Sequence, residues 1–322
     1  MDKKVLSIYY DECHSVHRDF YQEVGDIVGF HIDADPGPTN VFRYLKRGFQ
    51  IPADYDAYLM GGVALRSGLV RKYFGGFDGK IIRMLASQEY YEAAKGEKDD
   101  KELRFKSRYI DGLLSVSPMM AEYAQQYLDV PTEVVRPFVP EHQKFSEVEY
   151  DCEENNILFV GANYYNKNVD SLIKAVESVN KSREEKLKLH LVGKGHEQHE
   201  SDNIVTHGYV EDLSPLFKKA KFYVQPSKGD AYPVSTLEAM LTKTPTIVTE
   251  GVGTKDIVKE VNSDWVTGTK PEELAEALMD NLDMDKEDHK EFAEQLHQKA
   301  REFTPENQKE KFSNAIERLA NA

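Results

Sequence analysis

The chain has 322 residues, with 41 Lys and Arg against 56 Asp and Glu, a formal charge of −15 that excludes general binding to nucleic-acid backbones. Hydrophobic residues make up 40% and aromatics 11%, enough for a core in each of two domains and too much for a disordered chain. Two distant cysteines, Cys13 and Cys152, exclude a disulfide framework or zinc finger, and no apolar run reaches the roughly 18 residues of a membrane helix.

Along the chain, KKVLSIYY, DIVGFHI, DAYLMGG, KIIRMLAS and DGLLSVS read as five strands, and PTEVVRPFV (131–139) as a sixth. The first stretch is too short for a signal-peptide core, so a soluble, cytoplasmic protein is expected. Residues 66–108 carry 11 basic against 7 acidic groups, a local surplus that leaves peripheral membrane contact through this half open. A polar stretch, 141–155, separates the halves. The second half then gives NILFVG, LKLHLVGKG, NIVTHGYV, KFYVQPS and PTIVTEGVGT as buried strands ending in Gly- or Ser/Pro-rich loops. Helical spacing lies between them at 169–179, 213–220 and 234–241. Thr304-Pro305 reads as an N-cap with Pro at the first helical position, followed by an apolar stripe of Phe312, Ala315, Ile316 and Leu319. Alternating strands and helices predict two doubly wound, Rossmann-like α/β domains, 1–145 and 152–303, with a C-terminal helix over 304–322.

Ligands of such sheets bind beyond the carboxyl ends of the strands. The richest strand-end loop is PSKGDAYPVSTLEAM (226–240). It places Asp230 before a helix start and Glu238 one turn inside that helix. Carboxylates accept hydrogen bonds from vicinal hydroxyls, and a helix N-terminus offers N–H groups to a phosphate. The pattern therefore suits a polyol bearing phosphates. The bland reading, Asp230 capping a turn and Glu238 facing solvent, carries about equal weight on that loop alone.

Five segments in one order shift the balance: VGANYYNKNVDSLI (160–173), HLVGKG (190–195), VTHGYVEDL (205–213), PSKGDAYPVSTLEAM and PTIVTEGVGTKDIV (245–258). Together they resemble the nucleotide-sugar-binding half of the family 4 glycosyltransferases of GT-B fold. The resemblance covers roughly 156–268 and extends into 113–139; residues 1–110 match only in strand rhythm. It implies two domains facing across a cleft, with the last helix crossing back to the first. It further implies a retaining, metal-independent transferase without a cofactor, moving a hexose or similar sugar from a nucleoside-diphosphate donor to a hydroxyl of a glycan or lipid-linked acceptor. By resemblance, Glu238 holds the ribose, Asp230 the donor sugar and Lys167 the pyrophosphate, the last aided by backbone N–H groups at Tyr232, Val234 and Ser235. Tyr209 and Val210 take the base positions. Gly161, Asn163, Gly193, Lys194 and Gly195 line the same crevice.

Three departures stand out. Ala162, followed by Asn163, occupies the family's usual Arg position, which removes one bidentate phosphate contact. Asp230 replaces a longer Glu, and Pro233 replaces a Gly and cannot donate an N–H. Lys194 or Arg66 are the candidate compensators. On the acceptor side, Ser87, Gln88 and Glu89 stand where the family often has a His. His14 and His17, Gly62 beside Gly61, and Arg66 are the candidates there. The competing reading is a catalytically weakened nucleotide-sugar-binding protein acting through partners. Three Asp-x-Asp triplets (33–35, 54–56, 283–285) occur at chance frequency and are discounted as metal sites. Tyr90-Tyr91 and Tyr164-Tyr165 are expected on loops, where they could stack on a sugar or base.

Overall fold

In the computed structural model, which describes residues 3–10, 15–23, 26–30, 41–74, 76, 78–150 and 155–322, the chain forms two parallel sheets. The first comprises β1 (Val5–Tyr10), β2 (Asp26–Phe30), β3 (Ala57–Met60), β4 (Lys80–Leu85), β5 (Gly112–Ser115) and β6 (Thr132–Val134), in the order β2-β1-β3-β4-β5-β6. The second comprises β7 (Asn156–Val160), β8 (Lys188–Val192), β9 (Ile204–Gly208), β10 (Phe222–Gln225), β11 (Thr246–Thr249) and β12 (Val266–Thr267), in the order β12-β11-β10-β7-β8-β9. Every strand pair in both sheets is parallel. Side chains of β3, β5, β10 and β11 are buried throughout. Such continuous apolar runs are what helices on both faces of a parallel sheet require.

All six first-half strands and all five second-half strands expected from the sequence are present. β12 is additional, two residues long and without any apolar run of its own. In each sheet the order of strand addition reverses once. In the second, the reversal lies between β7 and β10, and in the first between β1 and β3. Loops leaving those strands meet where ligands of doubly wound sheets bind.

The chain divides into two compact units, Met1–Pro137 with Pro305–Ala322, and Phe138–Thr304. Residues 138–145, grouped by sequence with the first domain, cluster with the second, because Phe145 packs edge-on to Phe217 and Lys144 pairs with Asp212 at 3.1 Å. The C-terminal helix, Pro305–Asn321, belongs to the first unit. Its predicted stripe of Phe312, Ala315, Ile316 and Leu319 is buried, Phe312 stacks on Phe20 at 4.8 Å, and Arg318 makes a bidentate pair with Glu133 at 2.7 and 2.9 Å.

Candidate active site

Lys167 and Asp230, 63 residues apart, are drawn together at the β7/β10 reversal, with Lys167 Nζ donating to Asp230 Oδ2 at 2.5 Å. Two asparagines, Asn166 and Asn168, and the backbone of Lys228 build this meeting point. Asn166 Nδ2 donates to Gly229 O at 3.0 Å, and the Lys228 N–H returns to Asn166 O at 2.8 Å. Asn168 sits in the left-handed region (φ 59°), which Asn tolerates better than most residues. From there its amide reaches Pro226 O at 3.0 Å and Thr269 O at 2.8 Å. The loop after β7 is thus laced to the loop after β10. Asp230 is fixed from the other side as well, its N–H bonded to Gly251 O and its C=O accepting from the Gly253 N–H, both at 2.9 Å.

Glu238 lies on the helix Val234–Leu241, which begins directly after that loop. Its carboxylate has no hydrogen-bond partner or ion pair among the described residues, although part of the side chain stays open to solvent. Burial, with a smaller push from Glu141, raises its pKa to about 7. Beneath it the Tyr223 hydroxyl bonds to Gln225 and, at 2.8 Å, to Ser235 Oγ. Burial raises the Tyr223 pKa, and Glu238 and Asp230 act in the same direction, so both carboxylates bear on one phenol. Pro233 caps the helix with φ −71°, and the N–H groups of Val234 and Ser235 have no backbone partner among the described residues. Unpaired donors and the positive end of the helix dipole suit an anion.

The third wall is the Gly-rich edge of β7 and β8. Gly161 N–H bonds to Val192 O at 2.8 Å and Gly193 N–H to Gly208 O at 2.7 Å. Gly193 has φ +128°, and a Cβ there would come within 2.2 Å of Gly161 O, so only glycine fits. Asn163 clamps the turn that carries exposed Lys194, donating its N–H to Lys194 O at 3.0 Å and its amide to Gly195 O at 2.8 Å. Tyr209 projects from the end of β9 with 78% of its surface exposed, beside half-buried Val210. Tyr232 is buried in the loop ahead of the helix.

Sequence reasoning missed His196. It is 1% exposed, and its Nε2–H donates to Gly161 O at 2.7 Å, while Nδ1 has no partner among the described residues. A histidine directly after a Gly-Lys-Gly strand-end turn was the signal available. Asn166, Asn168 and Tyr223 were also missed, because their roles are contacts between distant loops. Of the two tyrosine pairs, Tyr164 and Tyr165 are exposed on the loop after β7, with Lys228 Nζ 3.8 Å over the Tyr165 ring. Tyr90 and Tyr91 are not on a loop. They are buried in the helix Glu89–Ala94, where Tyr90 accepts from Arg83 at 2.9 Å.

On the first unit, Gly62 opens the helix Gly62–Tyr73 at φ 49°, a turn conformation that glycine permits. Arg66 pairs with Glu102 at 3.2 Å and donates to Tyr44 at 3.2 Å. His14 lies outside the described residues, as does the side chain of His17. Among the described residues no three His, Cys, Asp or Glu side chains are grouped to hold a metal ion, and no helix is long and apolar enough to cross a membrane.

Similarity to known proteins bears on the fold. The sequence profile of the family described as Glycosyl transferases group 1 matches residues 154–284. HepE of Anabaena, solved in complex with UDP and glucose, superposes with a TM-score of 0.72 at 13% identity, over 99% of this chain and 100% of that one. Sucrose-phosphate synthase from Thermosynechococcus elongatus superposes equally well, with TM-score 0.72, 15% identity and 98% of each chain. The fold is GT-B. An uncharacterized glycosyltransferase of Methanocaldococcus jannaschii is 31% identical over 134 residues, which is 38% of this chain and 34% of that protein. The GalNAc-alpha-(1->4)-GalNAc-alpha-(1->3)-diNAcBac-PP-undecaprenol alpha-1,4-N-acetyl-D-galactosaminyltransferase of Campylobacter jejuni is 24% identical over 188 residues, 55% of this chain and 52% of that enzyme. The matches thus span between a third and about half of these curated relatives' length.

Proposed function

We propose that the protein is a nucleotide-sugar-dependent glycosyltransferase, with the donor on the second unit and the acceptor on the first. One observation carries the reading: an unpartnered carboxylate, Glu238, follows by eight residues the Asp230 that Lys167 holds at a sheet reversal. Glu238 accepts the ribose hydroxyls. The pyrophosphate takes Lys167 from Asp230, which then accepts from the donor sugar. Val234 and Ser235 N–H groups complete the anion site, and Lys194 is an exposed cation on its edge. Tyr209 and Val210 meet the base.

In the reaction the bond from the anomeric carbon to the phosphate oxygen breaks, the acceptor hydroxyl oxygen bonds to that carbon, and the hydroxyl proton passes to the departing diphosphate. The growing charge on that diphosphate meets Lys167 and the helix end, an electrostatic contribution that does not need reorganisation during the step. The reading includes retention at the anomeric carbon, no bound metal and no cofactor, a hexose donor and a glycan or lipid-linked acceptor. It places the protein in the cytoplasm, with peripheral membrane contact through the first unit. The UDP and glucose bound to HepE and the undecaprenol-linked substrate named for the Campylobacter enzyme favour UDP and a lipid-linked acceptor as the first to test.

Isothermal titration against nucleoside diphosphates tests it. One diphosphate binds, Glu238→Ala abolishes that binding, and the matching sugar donor is slowly hydrolysed in the absence of acceptor. No binding of any nucleotide at millimolar concentration would overturn the site assignment.

A further inference from the structure

A second constellation occupies the first unit. At the carboxyl ends of β3 and β4 a polar cavity of about 360 Å³ is lined by Arg66, Arg83, Lys98 and Lys106 together with Glu89 and Glu92. Arg66 and Lys106 also line an apolar cavity of about 490 Å³, whose walls include Tyr44, Leu69, Val70, Tyr73, Phe105 and Tyr109. The two cavities therefore meet at a pair of cations.

Four cations and two carboxylates line the polar compartment. Arg83 pairs with Glu89, Lys98 with Glu92 at 3.7 Å, and Glu102 pairs with both Arg66 (3.2 Å) and Lys106 (2.6 Å). Burial holds the Lys106 ammonium below the ordinary lysine range; Glu102 opposes this, while Arg66 and Arg83 add to it. Arg83 is 2% exposed, and its Nε has no hydrogen-bond partner among the described residues. Four cations gathered at one cavity, two of them shared with the apolar compartment, suit an anion. The apolar compartment is the opposite case. At its rim Tyr73, Phe74 and Phe105 are 67%, 59% and 50% exposed, and such clustered aromatics mark a binding surface. A nucleobase there would bury its polar edges against apolar walls, a cost that a hydrocarbon does not incur.

We propose that the two compartments form one site for a phosphate-linked lipid, with the hydrocarbon chain along the aromatic compartment and the phosphate at the Arg66–Lys106 junction. Any saccharide beyond the phosphate lies in the polar compartment at the strand ends. The role of this lipid as acceptor rests on the transferase reading above; its binding does not.

The test is calorimetric titration of the full chain with decyl phosphate below its micelle concentration, beside inorganic phosphate and uncharged decyl maltoside. Decyl phosphate is expected to bind at least tenfold more tightly than either. Phe105→Ala with Tyr109→Ala should cost about tenfold for decyl phosphate and nothing for inorganic phosphate. Arg66→Gln should weaken decyl phosphate and leave decyl maltoside alone. An unchanged melting transition shows that each variant is folded. The site is overturned if decyl phosphate binds no better than either control, or if the variants bind it like the parent. It is overturned too if phosphatidylglycerol vesicles capture the protein and decyl phosphate does not compete. UDP binding with no preference for decyl phosphate removes this site and leaves the transferase reading; the reverse pattern removes the transferase reading and leaves the site.

Discussion

Glu238 answers to two opposed demands. With a pKa raised from 4.5 to about 7, the folded protein favours the protonated acid, so stability present below about pH 4.5 is lost as the pH rises through 7. Glu238→Gln removes that loss. The variant should be more stable than the parent by about 1–3 kcal/mol at pH 8, discounted for the part of the side chain that water reaches, and no more stable near pH 4. Ribose hydroxyls require the opposite state, because only the carboxylate accepts from both. Nucleoside affinity should therefore be flat above pH 7 and fall by up to tenfold per unit below it. A nucleoside rather than a diphosphate keeps phosphate titration out of the measurement. A flat profile in the parent, or a sloping one in Glu238→Gln, would contradict the role. Lys167 gives a complementary prediction: Lys167→Ala should weaken diphosphate binding about tenfold or more and leave the nucleoside unchanged. Equal losses for both ligands would count against it.

Between β7 and β8 the backbones touch with no room for a side chain. Gly193→Ala would drive a methyl into Gly161 O and C at a positive φ, and neither neighbour can yield without moving the strand end. A loss of roughly 2 kcal/mol or more in unfolding free energy is expected, with nucleotide binding weakened further than that loss of folded protein explains. A variant with parental nucleotide affinity would show that the turn is not part of the site. These strands and their glycines were legible in the sequence because a buried parallel strand is a continuous apolar run that ends in a residue tolerant of sharp turns. The loop carrying Asp230 and the helix carrying Glu238 were legible for the same reason. His196, Asn166 and Asn168 were not, since their work is to hold a carbonyl or amide from another part of the chain, and no local pattern records a distant partner. The same limit hid the junction of Arg66, Arg83 and Lys106, which lie on three separate elements, and it led to Tyr90 and Tyr91 being read as loop residues when they are core. β12 escaped because two residues cannot display a period.

The first unit is discontinuous: residues 3–137 depend on a helix that the chain delivers only after the whole second unit. Thr304 and Pro305 start that helix, and its apolar stripe covers a surface that the first unit would otherwise expose, Phe312 against Phe20 of the helix Ser15–Gln22 and Leu319 against Gly112 of β5. Each unit has its own core, so each can unfold as a cooperative block with its own transition. Phe312→Ala deletes a fully buried ring from a stacked pair, a change that costs about 3–5 kcal/mol in a core that cannot collapse around the gap. The loss should fall on the first unit alone. Calorimetry of the variant should then show one transition shifted to lower temperature and one in place, and only the latter should rise when a binding nucleoside diphosphate is added, because that ligand stabilises the unit that holds it. If both transitions fall together, or if the nucleotide raises the one that the substitution lowered, the donor does not reside on Phe138–Thr304 by itself.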